Sequence, residues 1–424
     1  MSAARAEFSA GWGVLVASAA GFGMGMSGLP FYTTGIFLEP LSKAFGWSAP
    51  TIQGGLTLML LANIVTVPAA AWLSERFGCR RVALASVVLF ALSFMSLATL
   101  DGRVGGLYLH WLALSASGAG TLPVIWARTI SGWFARARGA ALGLAMMGTG
   151  ITGLFAPLLA NGLIAHLGWR GAYVALGALP LVVALPLVWL LFHEPPPPAA
   201  PPAPTEPALI GAMITSNWRF WLIGVAFLLI GSAVAGIIPN LVKLLRSHAF
   251  SPTHAAEVAS LVGLFVICGR AACGALLDRI WASAVAAGFF ILAGAACLML
   301  RGAHPDPITV GVAAASIGLA AGAEFDIMPY LASRYFGVER VGPVLGLLAV
   351  FFYLGAALGP WGFSRLSELA GGYDAPLLVA GAMFGVGGVA LMLLGRYPPE
   401  HTRRPEASAR PLAKLPSPVE GLLE

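Results

Sequence analysis

Charge is scarce in this chain. Lys, Arg, Asp and Glu together make up 10% of its 424 residues, where soluble domains carry about a quarter. With 58% hydrophobic residues and a mean hydropathy of +0.85, a water-soluble core of this size is excluded. Cysteine is also sparse. Cys79, Cys268, Cys273 and Cys297 show neither metal-ligand spacing nor an extracellular disulfide framework, and are expected to be packing residues. No phosphate-cradling glycine loop and no nucleophile–base pair is visible. An enzyme, a cofactor and a metal site are therefore not expected.

What the chain does have is long apolar runs. Twelve stretches stand near the ~20 residues needed to cross a bilayer, at about 11–38, 50–74, 82–100, 105–133, 139–166, 171–192, 218–245, 255–277, 281–300, 307–335, 341–366 and 375–395. In lipid an open strand edge has no hydrogen-bond partners, so all twelve are expected to be helices. The first stretch outruns a signal-peptide core and carries no clear cleavage site, so it is read as a retained span.

The chain also repeats itself. Ala71-Trp72-Leu73-Ser74-Glu75-Arg76 is echoed by Gly274-Ala275-Leu276-Leu277-Asp278-Arg279, Leu142-Gly143 by Leu345-Gly346, and Pro157 by Pro360, each 203 positions later. Such an offset means two copies of one membrane unit, with the substrate site between them. The predicted organisation is an all-α membrane protein of twelve transmembrane helices in two pseudo-symmetric six-helix halves. It assigns 1–193 to the first half, 194–217 to a cytoplasmic linker, 218–396 to the second half and 397–424 to a disordered cytoplasmic tail. The linker holds Glu194-Pro195-Pro196-Pro197-Pro198 and further prolines to Pro207, a composition that makes a semi-rigid spacer.

The net charge of +6 follows the positive-inside rule and does not call for nucleic acid as a partner. Placing the N-terminus inside puts 15 Lys and Arg on the cytoplasmic side and 7 on the other. Both termini are therefore expected in the cytoplasm, in a multi-pass protein of the cytoplasmic (inner) membrane. The expected partners are the lipid bilayer, a small substrate and a proton, with the chain acting as a monomer.

Ala71-Trp72-Leu73-Ser74-Glu75-Arg76-Phe77-Gly78-Cys79-Arg80-Arg81 resembles the signature loop between the second and third spans of the major facilitator superfamily, with Ala71 for Gly and Glu75 for Asp. A small residue there lets helices approach, and a carboxylate at a helix end can pair with arginines or a helix N-terminus. Glu75, Arg76 and Arg80, with Asp278 and Arg279 in the echo, are thus candidates for conformational gating. Trp133-Phe134-Ala135-Arg136-Ala137-Arg138-Gly139-Ala140-Ala141-Leu142-Gly143 resembles the fifth-span motif of monocarboxylate transporters. Ala10-Gly11-Trp12-Gly13 is a partial match to their first-span motif, and the bacterial oxalate/formate-like relatives fit better. This resemblance implies a carrier of small organic anions.

Ionisable residues inside spans cost at least ~2.5–3.5 kcal/mol on insertion scales, so each needs a partner or a task. Arg270 lies eight residues before Asp278, about 12 Å from the helix end, too deep for easy snorkelling. Its planar guanidinium can clamp a carboxylate through two hydrogen bonds. It resembles the span-8 arginine that binds the anion in monocarboxylate and oxalate carriers. The family's Asp one turn earlier is Val266 here. The alternative for Arg270 is a structural ion pair between helices. Arg128, at similar depth in the fourth span, either faces Arg270 across the cavity or pairs with Glu324 or Asp326. These two carboxylates lie near mid-bilayer on one helix about 200° apart, so both face one cavity only if the helix unwinds between Gly322 and Pro329. Glu324 is favoured as the proton carrier and Asp326 as structural, beside a Gly311-Gly318-Gly322 stripe expected to pack on another helix. Tyr32, Asn63, Asn240, Tyr330 and Tyr353, and also Trp126 and Asn161, are polar candidates for substrate contact or for helix bridging.

These residues predict proton-coupled symport of a small organic anion, expected to be a monocarboxylate, by alternating access. An anion exchanger would use the same arginines without a proton. A drug/proton exporter is disfavoured because Gly148-Thr149-Gly150-Ile151-Thr152-Gly153 lacks the Gly-Pro usual in the fifth span. A non-transporting sensor would need a signalling domain.

Overall fold

Apolar composition and the absence of water leave helices as the local solution throughout. The computed structural model describes residues 3–134, 136–194, 216–277, 279–302, 306–337 and 341–397. Asp278, most of the linker and the tail from 398 lie outside the described residues. Among the described residues all regular structure is helical, and nine helices are long and apolar enough to cross a membrane.

Nine differs from twelve for identifiable reasons. The first apolar stretch is split into α1 (Ala3–Gly23) and α2 (Leu29–Phe45) by the run Gly23-Met24-Gly25-Met26-Ser27-Gly28, ahead of Pro30. After α3 (Ala49–Phe77) and α4 (Cys79–Ser96), the fourth stretch is split into α5 (Val104–Gly118) and α6 (Pro123–Trp133). There Pro123 removes a backbone donor and restricts Leu122. The fifth and sixth stretches join in one helical run, α7 (Arg138–Leu179), which turns at Gly168 (φ 68°, ψ 172°) and continues through a π-helical segment at Pro180–Ala184 into α8 (Leu185–Leu191). The seventh stretch forms α9 (Trp218–Ile237) and α10 (Leu241–Ser247), with Pro239 between them. There follow α11 (Pro252–Leu277), α12 (Ala282–Met299), α13 (Pro307–Phe336), α14 (Val341–Leu369) and α15 (Asp374–Met392).

The residues before and after the linker pack mainly among themselves and meet chiefly through two helix pairs, α3 with α14 and α7 with α11, with α2 also touching residues 238–240 and α10. These pairs are equivalent under the 203-residue repeat: spans two and eleven, spans eight and five. The two-fold relation visible in the sequence is therefore a relation in space. Small residues make the close contacts, as expected where packing replaces the hydrophobic effect. A Cβ on Gly263 of α11 would lie 2.1 Å from the backbone of Gly153 in α7, and one on Gly150 would lie 2.5 Å from Ile267.

The contacts between halves concentrate at one end. Gln53 Nε2 donates to Pro239 O at 3.1 Å, Thr57 Oγ1 to Ala357 O at 2.6 Å, and Arg246 Nε lies 3.3 Å from Glu39 Oε2. The opposite end carries the Gly78 turn, where Arg80 N donates to Glu194 Oε1 at 2.8 Å, and the 134–137 turn, where Arg136 N donates to Glu7. Neither of those bonds crosses to the second half. Among the described residues, the polar bonds between halves thus lie at the end holding Glu39, the closed end, and none lies at the end holding Glu7, Arg80 and Glu194, the splayed end.

Candidate functional site

The two helix breaks of the first half meet at the centre. Met26 N, released from helical pairing by the break, donates to Thr121 Oγ1 at 3.0 Å, and Thr121 Oγ1 in turn donates to Gly118 O at 2.7 Å. One side chain thereby satisfies a backbone group that an unwound membrane helix would leave bare. Met26, Ser27, Leu122 and Pro123 from these breaks line a cavity between the halves, together with side chains of α3, α7, α9, α11, α13 and α14. Its cavity volume is about 90 Å³, small beside the ~300–1,000 Å³ of typical ligand clefts.

Arg270 and Glu324 line this cavity. Glycines place them: Gly269 of α11 packs on Leu319 of α13, while Gly318 and Gly322 of α13 pack on Val262 and Val266 of α11. Of the expected stripe, a Cβ added at Gly311 would meet nothing within 4 Å, so the close approach begins at Gly318. This proximity brings the guanidinium of Arg270, its side chain 2% exposed, to 3.5 Å from Asp326 Oδ1 and 5.6 Å from the Phe325 ring. Asp326 comes from the neighbouring helix and supplies the counter-charge that Val266 cannot. Helix α13 runs unbroken through Glu324 and Asp326; the local break that Gly322 and Pro329 would permit does not occur, so the two carboxylates keep their different directions. Asp326 reaches Arg270 from the side, and Glu324 points into the cavity. Two buried atoms here have no protein partner among the described residues: Arg270 Nε and Glu324 Oε2.

Tyr32, Asn63 and Tyr353 also line the cavity. Asn63 is oriented by Ser115, whose hydroxyl donates to Asn63 Oδ1 at 2.8 Å and lies 3.0 Å from Thr66 Oγ1. Four other candidates lie elsewhere. Arg128 does not face Arg270, nor does it pair with Glu324 or Asp326: its Nη1 is 3.3 Å from Glu75 Oε1 and 3.3 Å from Ser74 Oγ, near the splayed end. Asn240 is a bridge between helices, donating to Gly236 O and Pro360 O and accepting from Ser364 Oγ at 2.6 Å. Tyr330 donates to Leu277 O at 2.9 Å and ties α13 to the end of α11. Trp126 is core, its indole donating to Thr121 O at 2.9 Å.

Among the gating candidates, Glu75 holds Arg128, and Arg80 Nη2 donates to Trp189 O at 2.6 Å. Arg76 stacks near Trp72 and Phe77, and Arg279 is exposed. The sequence reading missed the aromatic residues of the cavity, Phe31, Phe325 and Phe352, and the role of Thr121. The Gly-rich run at 23–28 and the Leu122-Pro123 pair were the signals for the breaks; the aromatics carry no signal distinct from ordinary apolar spans.

Among the described residues no group of three His, Cys, Asp or Glu side chains could hold a metal ion. Chemically, the arrangement offers one fixed cation, one ion-paired carboxylate and one unpaired carboxylate in a low-dielectric chamber. It can bind an anion and carry a proton.

The chain is similar to known proteins over most of its length. Monocarboxylate transporter 13 of Bos taurus is 28% identical, over 98% of this chain and 97% of its own length. Monocarboxylate transporter 11 of Homo sapiens is 28% identical, over 88% of this chain and 81% of its own. A bacterial homologue of the human lysosomal transporter Spinster, solved in an inward-facing and occupied conformation, has the same fold, with a TM-score of 0.65 at 18% identity, covering 96% of this chain and 100% of that one. The sequence pattern of the Major Facilitator Superfamily matches residues 20–360 and 281–422. The chain is a multi-pass membrane transporter and belongs to the Major Facilitator Superfamily.

Proposed function

We propose that this transporter moves a small monocarboxylate together with a proton, by alternating access. The observation that carries the reading is the buried Arg270 guanidinium at the cavity wall, one face held by Asp326 and its Nε unpartnered among the described residues. With Arg270, Asp326 and Glu324 all ionised, the chamber carries a net charge of −1, and an arriving carboxylate would raise it to −2 in a medium where unpaired charge is costly. Protonating one carboxylate holds the loaded chamber at −1. Glu324, unpaired and facing the cavity, is the proton carrier in this account. Asp326 holds Arg270 until the substrate carboxylate competes for it. The similarity to monocarboxylate transporters supports the substrate class.

The splayed end bears the Arg76, Arg80, Arg81, Arg136 and Arg138 cluster, which under the positive-inside rule is cytoplasmic. The structure is then inward-open, with both termini in the cytoplasm of a cell whose inner membrane holds the protein. Closure of the Glu75 end against the other half would give the outward-open form, and Arg128, Arg76 and Arg80 regulate that closure. The units are those of the sequence: two six-helix halves, 1–193 and 218–396.

The test is uptake by purified protein in liposomes of labelled lactate, pyruvate, oxalate and simple aromatic acids, with and without an inward proton gradient. Gradient-driven uptake that Arg270→Ala abolishes is expected. Uptake only against a preloaded anion, indifferent to pH, would mean exchange instead.

A further inference from the structure

Arg270 has unusual company. The Phe325 ring lies 5.6 Å from its guanidinium; Phe352 packs edge-on against Phe325 at 5.2 Å, and Tyr353 against Phe352 at 5.8 Å. Phe31 joins this cluster from the first half and meets Tyr32 at 5.4 Å. An aromatic wall thus starts at the cation and extends across the cavity to both halves. Beyond Arg270 and Glu324, the polar groups facing the chamber are few: Ser27, Asn63, Thr149 and the two tyrosine hydroxyls.

A two- or three-carbon acid, or a dicarboxylate, has little apolar surface to place against such a wall. Its second polar end would be stripped of water with no cation to meet it, since Arg128 stands at the splayed end against Glu75. We propose that the substrate is an arylalkyl monocarboxylate, its carboxylate on Arg270 and its ring among Phe31, Phe325, Phe352 and Tyr353. This rests on the reading that Arg270 holds a carboxylate and adds what the rest of the ligand must be. The ring gains from burial, which is worth about fourfold in affinity per methylene-equivalent, and from edge-to-face contacts with the wall. The wall is shared between halves, so a ring seated there touches both bodies that must move, whereas a short acid on Arg270 touches chiefly the second.

The full-length protein in nanodiscs, titrated with acetate, propionate, lactate, oxalate, phenylacetate, 3-phenylpropionate and uncharged 3-phenylpropionamide, tests this. The expected result is affinity for 3-phenylpropionate at least a hundredfold above propionate, with the amide weaker than the acid by tenfold or more. Phe352→Ala is expected to cost the aryl acids about tenfold and propionate nothing. Lactate, acetate or oxalate binding as tightly as 3-phenylpropionate, and lost in Arg270→Ala, would overturn the aryl proposal and leave the carboxylate clamp standing. Equal binding of acid and amide, unchanged in Arg270→Ala, would overturn both. The ligand series on the unaltered protein decides by itself, so a variant that misfolds leaves the test intact.

Discussion

Gly263→Ala should push the closed end of the transporter open. Gly263 of α11 meets α7 so closely that an added Cβ would stand 2.1 Å from Gly153 C and Leu154 N, both backbone atoms, where ordinary contact begins at 3.4 Å. No side chain can rotate away, so the two helices must part by about 1.3 Å. Overpacking of this kind costs about 1–3 kcal/mol. Because α7 and α11 belong to different halves, the opposite conformation can relieve the clash, and the cost becomes a shift of roughly 5- to 150-fold in the equilibrium between the two. Gly274→Ala on the same helix is the control, since nothing lies within 4 Å of its added Cβ. A reporter cysteine in place of Val242, which is 9% exposed and packs beside Gly35 at the closed end, reads the outcome in a background lacking Cys79, Cys268, Cys273 and Cys297. In nanodiscs, a polar maleimide should label it several-fold faster in Gly263→Ala than in Gly274→Ala. Equal rates would refute the idea that the glycine contact holds the halves together.

Thr121→Val should strand the Met26 N–H at the helix break and lower stability by about 1–3 kcal/mol, whereas Thr121→Ser, which keeps the hydroxyl, should not; thermal unfolding in detergent measures both. Glu39→Gln removes the ion pair between halves, but its partners are 33% and 42% exposed, so the effect is at most about 1 kcal/mol; labelling at position 242 should rise less than tenfold, and the rise should vanish in 1 M salt, at which the Debye length is about 3 Å. Asp306 caps α13 through Ile308 N and Thr309 N, and the Thr309 hydroxyl, first among its contacts, holds its carboxyl below the usual range. A lowered carboxyl stabilises the fold above its ordinary pKa and loses that effect only as pH falls through the lowered value. Asp306→Asn should therefore lower Tm without reshaping the transport pH profile between about pH 5 and 8; a reshaped profile would point to a second titrating role.

Legibility in the sequence followed the range of the interaction. Apolar runs report on lipid, which every span meets, so the helical membrane class could be read from composition. Arg270 could be found by counting back from the repeat motif, because helical rise converts residue number into depth. Glu324 and Asp326 were separable by the 100° turn per residue, and the unbroken α13 keeps them so. What required a partner helix stayed hidden. Val266 said that Arg270 lacks a counter-ion on its own helix, but only the glycine packing of α11 on α13 makes Asp326 that counter-ion. Arg128 has the same sequence depth as Arg270, yet the break at Leu122-Pro123 and the neighbouring end of α3 deliver it to Glu75. Asn240 and Tyr330 satisfy backbone carbonyls across helix joints, a demand that arises only once the helices are packed. The breaks at 23–28 and 119–123 were written in glycine and proline, yet their meeting through Thr121 was not.

The measurement closest to the central claim compares net accumulation with exchange in liposomes holding either the native protein or Glu324→Gln. If Glu324 carries the proton and Arg270 the carboxylate, Glu324→Gln should lose gradient-driven accumulation while still exchanging labelled for unlabelled substrate, and Arg270→Ala should lose both. Accumulation by Glu324→Gln equal to that of the native protein would contradict the account.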